Sequence, residues 1–184
     1  HNLREVADAL AYAHANKVVH RDIKPDNILL DVQSQRPMVT DFGIARAISE
    51  GGEARLTATG IAIGTPAFMS PEQSAGDRDL DGRSDLYALS ATLYATLTGR
   101  TPPDSMERLL NNAELPRPEV FCPGLPQHVS DTLMRGLALK PAERFADART
   151  FKLALLGQAP SEPAPASALE ATVVAGPGLA GEQT

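Results

Sequence analysis

His20-Arg21-Asp22-Ile23-Lys24-Pro25-Asp26-Asn27 sets a carboxylate, a lysine and a carboxamide at fixed spacing inside one polar loop. Apolar residues bracket it, with Val18 and Val19 before and Ile28, Leu29 and Leu30 after. Such pieces predict short β segments at 18–19, 28–30 and 38–40. They are too short to stand alone and must lie on a helical body. Upstream, Leu3, Val6, Ala7, Leu10 and Ala13 recur at helical spacing, which predicts an amphipathic helix over residues 2–16 feeding the loop. Downstream, a second carboxylate stands in Asp41-Phe42-Gly43, and Ser70-Pro71-Glu72 follows.

The order of these motifs resembles the eukaryotic-like (Hanks-type) bacterial Ser/Thr protein kinases. The resemblance covers residues 1–156 and only the larger, C-terminal lobe of that fold. Its bacterial character rests on residues 64–73 and on Thr98-Gly99-Arg100-Thr101-Pro102-Pro103. It implies a mainly α fold of the α+β class: a helical body with short β-hairpins carrying the catalytic loop, and no small N-terminal lobe. It also implies ATP with magnesium, or manganese in its place, and a protein Ser or Thr hydroxyl as acceptor.

Phosphoryl transfer to a hydroxyl needs the hydroxyl oriented, the γ-phosphate charge neutralised and the metal ions held. On this resemblance Asp22 is the catalytic base, and Lys24 reaches the transferring phosphate as a point charge. Asn27 offers a carboxamide oxygen to magnesium, a cation that prefers oxygen ligands, and Asp41 adds a full negative charge at the metal. Leu29 matches the residue beneath the adenine. Lys24, two positions after Asp22, fits the Ser/Thr subgroup rather than the tyrosine subgroup. His20 is expected to pack near Phe42 as support, beside Gly43.

The stretch 41–72 contains Gly51-Gly52, several threonines and few large apolar residues, the pattern of a mobile, regulated segment. In the family, the arginine at the position of Arg21 pairs with a phosphate on this segment. A phosphothreonine brings close to two negative charges and suits a guanidinium fork. Thr57 and Thr59 are the candidate phosphosites, weighed evenly against ordinary loop threonines. Thr65, in Gly64-Thr65-Pro66, is expected to hydrogen-bond Asp22 or Lys24. Glu72 is expected to pair with Arg144 as an anchor. Asp85 is expected to accept backbone hydrogen bonds from the catalytic loop.

Ser84 reads as the N-cap of a buried helix through Leu97, which Gly99 stops. Tyr87 and Tyr94, seven apart, fit one core-facing side of it. A short helix is expected at 104–111, a proline-punctuated loop at 116–126, and helices at 127–138 and 147–156, the last ended by Gly157. Residues 157–184, rich in Ala, Pro and Gly without an aromatic, read as a disordered linker or tail. His14 and His128 lack metal-ligand spacing and read as surface residues. Cys122 has no neighbouring base. Asp77, Asp79 and Asp81 lack the downstream glutamate of a calcium loop.

The chain has 184 residues, 42% of them hydrophobic, enough for one domain with a core. A net charge of −6 argues against a nucleic-acid partner. One cysteine excludes an intrachain disulfide and points to a cytoplasmic setting. No apolar run approaches bilayer length, so no membrane segment is expected in this chain. No Gly-x-Gly-x-x-Gly and no strand lysine precede His20, so ATP meets one wall only. The leading expectation is a Ser/Thr protein kinase represented by an incomplete, weakly active or inactive chain, with self-association for autophosphorylation among its pairings. The alternative is a catalytically silent kinase lobe that binds or regulates partners. A third reading, a small-molecule phosphotransferase, is disfavoured by Lys24, the Ser-Pro-Glu element and the threonine-rich segment.

Overall fold

The computed structural model describes residues 3–42 and 66–158. The expectations for Gly43, Thr57, Thr59, Thr65 and the tail beyond 158 fall outside the described residues. The chain is mainly helical with one two-stranded antiparallel hairpin.

Helix α1, Leu3–Ala15, buries Val6, Ala7, Leu10 and Ala13, the stripe its spacing predicts. It ends in a left-handed Lys17 (φ 60°), with Lys17 N donating to His14 O and Val18 N to Ala13 O, each at 2.9 Å. This pair of bonds satisfies two orphan carbonyls. It also explains why Val18 and Val19 form no strand, against expectation. The amide of Val18 is committed to closing the helix.

The hairpin pairs β1, Ile28–Leu30, with β2, Pro37–Val39, in the register Ile28 to Val39, Leu29 to Met38 and Leu30 to Pro37. The Asp31 carboxylate accepts from the amides of Gln33 (2.9 Å) and Ser34 (2.6 Å), which shapes the turn.

After the four-residue α2, Pro71–Ser74, the chain enters α3, Gly82–Thr98. Its N-cap is Asp81, whose Oδ1 accepts from Arg83 N at 2.8 Å, not Ser84. Ser84 is already helical and buried, and its hydroxyl donates to Glu72 Oε1 at 2.8 Å instead. Gly99 (φ 67°) ends the helix as expected. Every residue from Ser84 to Tyr94 is buried, so polar side chains on α3 need internal partners. Ser90 and Thr92 supply their own, donating to the carbonyls of Leu86 (2.7 Å) and Ala88 (2.9 Å) one turn back.

Helices α4 (Ser105–Leu110), α5 (Gln127–Gly136) and α6 (Ala148–Leu155) complete the body, with α4 capped by Asp104 and α6 by Asp147. One side of α3, through Leu86, Leu89 and Leu93, shares a core with Val6 and Leu10 of α1, Ile23, Leu133 of α5 and Phe151 of α6. Its other side, through Tyr87, Ala91 and Tyr94, packs with Leu137, Phe68, Leu115 and Phe121. The tyrosines thus sit where their spacing puts them. Gly136 lets α5 approach α3 closely, because a Cβ there would overlap Ser90 Oγ and lie 2.9 Å from Ser90 Cβ. No described helix is long and apolar enough to cross a membrane.

Candidate active site

The loop after α1 is held from below by the first turn of α3. Asp85, only 1% exposed, accepts from His20 N through Oδ2 and from Arg21 N through Oδ1, both at 2.8 Å. A buried carboxylate needs such donors in place of the water it has lost. A third comes from His14, whose Nε2 lies 2.7 Å from Asp85 Oδ2. His14 is therefore not the surface residue its spacing suggests. Its ring packs over Gly82, where a Cβ would come within 2.5 Å of Nδ1.

His20 is fully buried and links the loop to the segment carrying Asp41. Its Nδ1 accepts from Asp22 N at 3.2 Å, which assigns the ring proton to Nε2, and Nε2 donates to Thr40 O at 2.7 Å. Its ring meets Phe42 edge-on, with centroids 4.6 Å apart. Arg21 adopts a left-handed backbone (φ 69°), unusual for a residue with a Cβ.

Asp22, Lys24 and Asn27 converge. Asp22 Oδ2 accepts from Lys24 Nζ and from Asn27 Nδ2, each at 2.9 Å. Asn27 Nδ2 also donates to Asp22 O at 2.7 Å. These bonds commit the nitrogen of Asn27 and leave its amide oxygen as the atom available to a hard cation. The Asp22 side chain keeps 38% of its exposure, so the carboxylate remains reachable. Asn27 occupies a single 3-10 turn, Pro25–Asn27, opened by proline, which brings the carboxamide back over Asp22.

Asp41 is exposed and left-handed (φ 63°), between two anchored neighbours. Thr40 N donates to Asn27 O at 3.0 Å, while Phe42 packs on His20. Both sides of Asp41 are thereby tied to the loop that carries Asp22. Among the described residues, no cluster of three His, Cys, Asp or Glu side chains forms a ready-made metal cage. Asn27 and Asp41 carry one carboxamide and one carboxylate, oxygen donors of the type that hard cations such as magnesium prefer. Leu29 lies on the exposed side of the hairpin opposite Met38, both 49% exposed, with Leu30 at 56%.

Glu72 and Arg144 form a two-pronged pair, Nη1 to Oε1 at 2.6 Å and Nη2 to Oε2 at 2.9 Å. Arg144 also donates to the carbonyls of Ala138 (2.8 Å), Leu139 (3.0 Å) and Arg83 (3.1 Å). Burial alone would raise the Glu72 carboxyl. The Arg144 guanidinium and the Ser84 hydroxyl overcome it and hold the group down to about 2. Beside Glu72, Gln73 Nε2 reaches Arg21 O at 2.7 Å. Sequence reasoning passed over Gln73 and misjudged His14, because their partners lie 52 and 71 residues away.

Comparison with known proteins agrees with this geometry. The protein kinase domain family matches residues 1–133. Serine/threonine-protein kinase PknD of Mycobacterium tuberculosis is 43% identical over 158 residues, which cover 83% of this chain and 23% of PknD. PknL of the same species is 39% identical over 153 residues, covering 79% of this chain and 37% of PknL. The crystal structure of the Mycobacterium tuberculosis PknI kinase domain superposes with a TM-score of 0.62 at 34% identity, over 85% of this chain and 53% of that one. The chain thus spans about a quarter of PknD and about half of a solved kinase domain. It belongs to the protein kinase domain family, in its bacterial Hanks-type Ser/Thr branch, and carries the helical C-terminal lobe of that domain.

Proposed function

We propose that this lobe supplies the acceptor side of ATP-dependent phosphoryl transfer to protein Ser or Thr hydroxyls. The observation that carries this reading is the convergence of Lys24 Nζ and Asn27 Nδ2 on one oxygen of Asp22. Those two donors fix the carboxylate and leave Oδ1 to accept the proton of an incoming hydroxyl. Lys24, held at Asp22, places positive charge where the transferred phosphoryl group develops negative charge. Asn27 Oδ1 and the Asp41 carboxylate would hold magnesium, or manganese, which supplies charge neutralisation at the terminal phosphates of ATP. Leu29 offers an apolar seat to the adenine. Catalysis requires a small lobe to cover the nucleotide, so activity belongs to the whole kinase domain. The chemistry draws on cytoplasmic ATP, and a second kinase copy is a natural substrate for autophosphorylation.

Arg21 is assigned to regulation. Its Nε is buried without a partner among the described residues, which suits an incoming phosphate. Phosphorylated Thr57 or Thr59 would supply that anion, and Thr65 would orient Asp22 or Lys24. If alanine at both Thr57 and Thr59 leaves activity unchanged, this regulatory role is discarded.

Replacing Asp22 by Asn in the whole kinase domain tests the catalytic assignment. Transfer of labelled phosphate to a protein acceptor should fall by about a hundredfold to ten-thousandfold. Undiminished turnover would refute Asp22 as the base.

One observation favours a second reading, a lobe that docks partners without chemistry. The hairpin presents Leu29, Leu30 and Met38 to solvent, an apolar surface that calls for a cover. Calorimetry of the chain with Mg-ATP separates the two. Micromolar affinity counts against a purely scaffolding lobe.

A further inference from the structure

Gln73 uses both ends of its carboxamide. Its Oε1 accepts from Ser70 N (3.3 Å) and Ser70 Oγ (3.1 Å), while Ser70 Oγ accepts from Gln73 N, which closes the capping box of α2. Its Nε2 leaves the helix and donates to Arg21 O at 2.7 Å. The capping box alone does not need that donor.

The acceptor is a particular one. The carbonyl of Arg21 and the amide of Asp22 share one rigid peptide plane. Gln73 Nε2 holds the oxygen edge of that plane at 2.7 Å, and His20 Nδ1 holds the N–H edge at 3.2 Å. On the other side of Arg21, its amide is held by Asp85 Oδ1 at 2.8 Å. Arg21 is left-handed (φ 69°), a conformation that relaxes unless its surroundings over-determine it. Asp22 projects from the far end of this pinned plane. Rotation about the Arg21 ψ angle would swing the carboxylate away from Lys24 and Asn27.

We infer that Gln73 is a positioning residue: through the Arg21 carbonyl it sets the peptide plane that carries Asp22, and so couples the orientation of that carboxylate to the seating of the α2 segment. The catalytic consequence rests on the kinase reading above; the clamp itself does not. Glu72 and Gln73 then divide the work of one short helix. Glu72 fastens it to the body through Arg144, and Gln73 passes its position on to the loop.

Two substitutions separate the clamp from the cap. Gln73→Glu keeps an acceptor for Ser70 but turns an oxygen toward the Arg21 carbonyl. Gln73→Met keeps the length and loses both roles. In the whole kinase domain, both variants should lower kcat by about tenfold to a hundredfold with KM for ATP unchanged. In the chain itself, amide hydrogen exchange of His20, Arg21 and Asp22 should accelerate about tenfold in both, while Ser74 and Ala75, bonded inside α2, keep their rates in Gln73→Glu. Unchanged exchange at His20 to Asp22 in Gln73→Glu overturns the inference, even if kcat falls together with overall stability. If the unsubstituted kinase domain transfers no phosphate, the kinase reading fails, and the exchange rates still decide the clamp.

Discussion

The imidazole of His14 and the carboxylate of Asp85 meet at 2.7 Å across 71 residues of chain. The same carboxylate holds the amides of His20 and Arg21, so one buried acid joins α1, α3 and the loop between α1 and β1. Replacing Asp85 by Asn removes one of its acceptor atoms and turns an N–H toward a backbone donor. The expected cost is about 1–3 kcal/mol of stability, read by denaturant unfolding. In the whole kinase domain, activity should fall about a hundredfold through loss of loop geometry. Gly82→Ala tests the same junction from outside, because the added Cβ comes within 2.5 Å of His14 Nδ1 and displaces the ring. Wild-type stability in Gly82→Ala would show that the His14 contact is dispensable.

Acid should act on the fold through Glu72. Its carboxyl is held at about 2 in the folded chain, below its ordinary value of 4.5. A lowered value means that the unfolded chain binds the proton more readily. The stabilisation is therefore fully present above pH 4.5 and drains away as pH falls toward 2. Glu72→Gln should flatten the stability profile across that window, measured by urea unfolding at several pH values. An unaltered acid limb in Glu72→Gln would remove Glu72 as its source.

Breaking the same pair from the other side strands a charge. Arg144 has a fully buried side chain and donates to three carbonyls besides Glu72. Arg144→Met should cost about 3–5 kcal/mol, more than Glu72→Gln, because it leaves the Glu72 carboxylate with no cationic partner and takes a donor from three carbonyls. Equal costs for the two variants would contradict this account.

The α3–α5 contact makes a prediction about packing alone. Gly136→Ala places a methyl group against Ser90 Oγ and 3.3 Å from Phe151 Cε2. Overpacking of this kind costs about 1–3 kcal/mol. Ser90→Ala, introduced second, should recover only part of it, since Ser90 Cβ stays 2.9 Å from the new methyl. Full recovery would mean that α5 shifts rather than strains.

The convergence of Asp22, Lys24 and Asn27 was legible because the string that holds them is local. Asp22, Lys24 and Asn27 lie within six positions of one another, and a tight turn is enough to bring them together. The helices were legible from periodicity and terminators, as at Gly99 and Gly157, both left-handed. The supports were harder to see. His14 and Gln73 act on partners 71 and 52 residues distant, and spacing carries no record of such pairs. Asp81 caps α3 ahead of Ser84 because its backbone is still extended (φ −108°, ψ −177°), whereas Ser84 has turned inward to Glu72. Val18 and Val19 have strand composition, but the helix end claims the Val18 amide first.

Helix α3 is dry along most of its length, and the hydroxyls of Ser90 and Thr92 answer to its own carbonyls. Such an element has no weak end on the side of Ser84 and no solvent waiting to replace its bonds. Asp85 grows from that end. Heating should therefore give no pre-transition in which the loop loosens while the body survives. Loop order and body order should vanish in one cooperative step, so that the melting curve of the body also reports how long Asp22 stays in place.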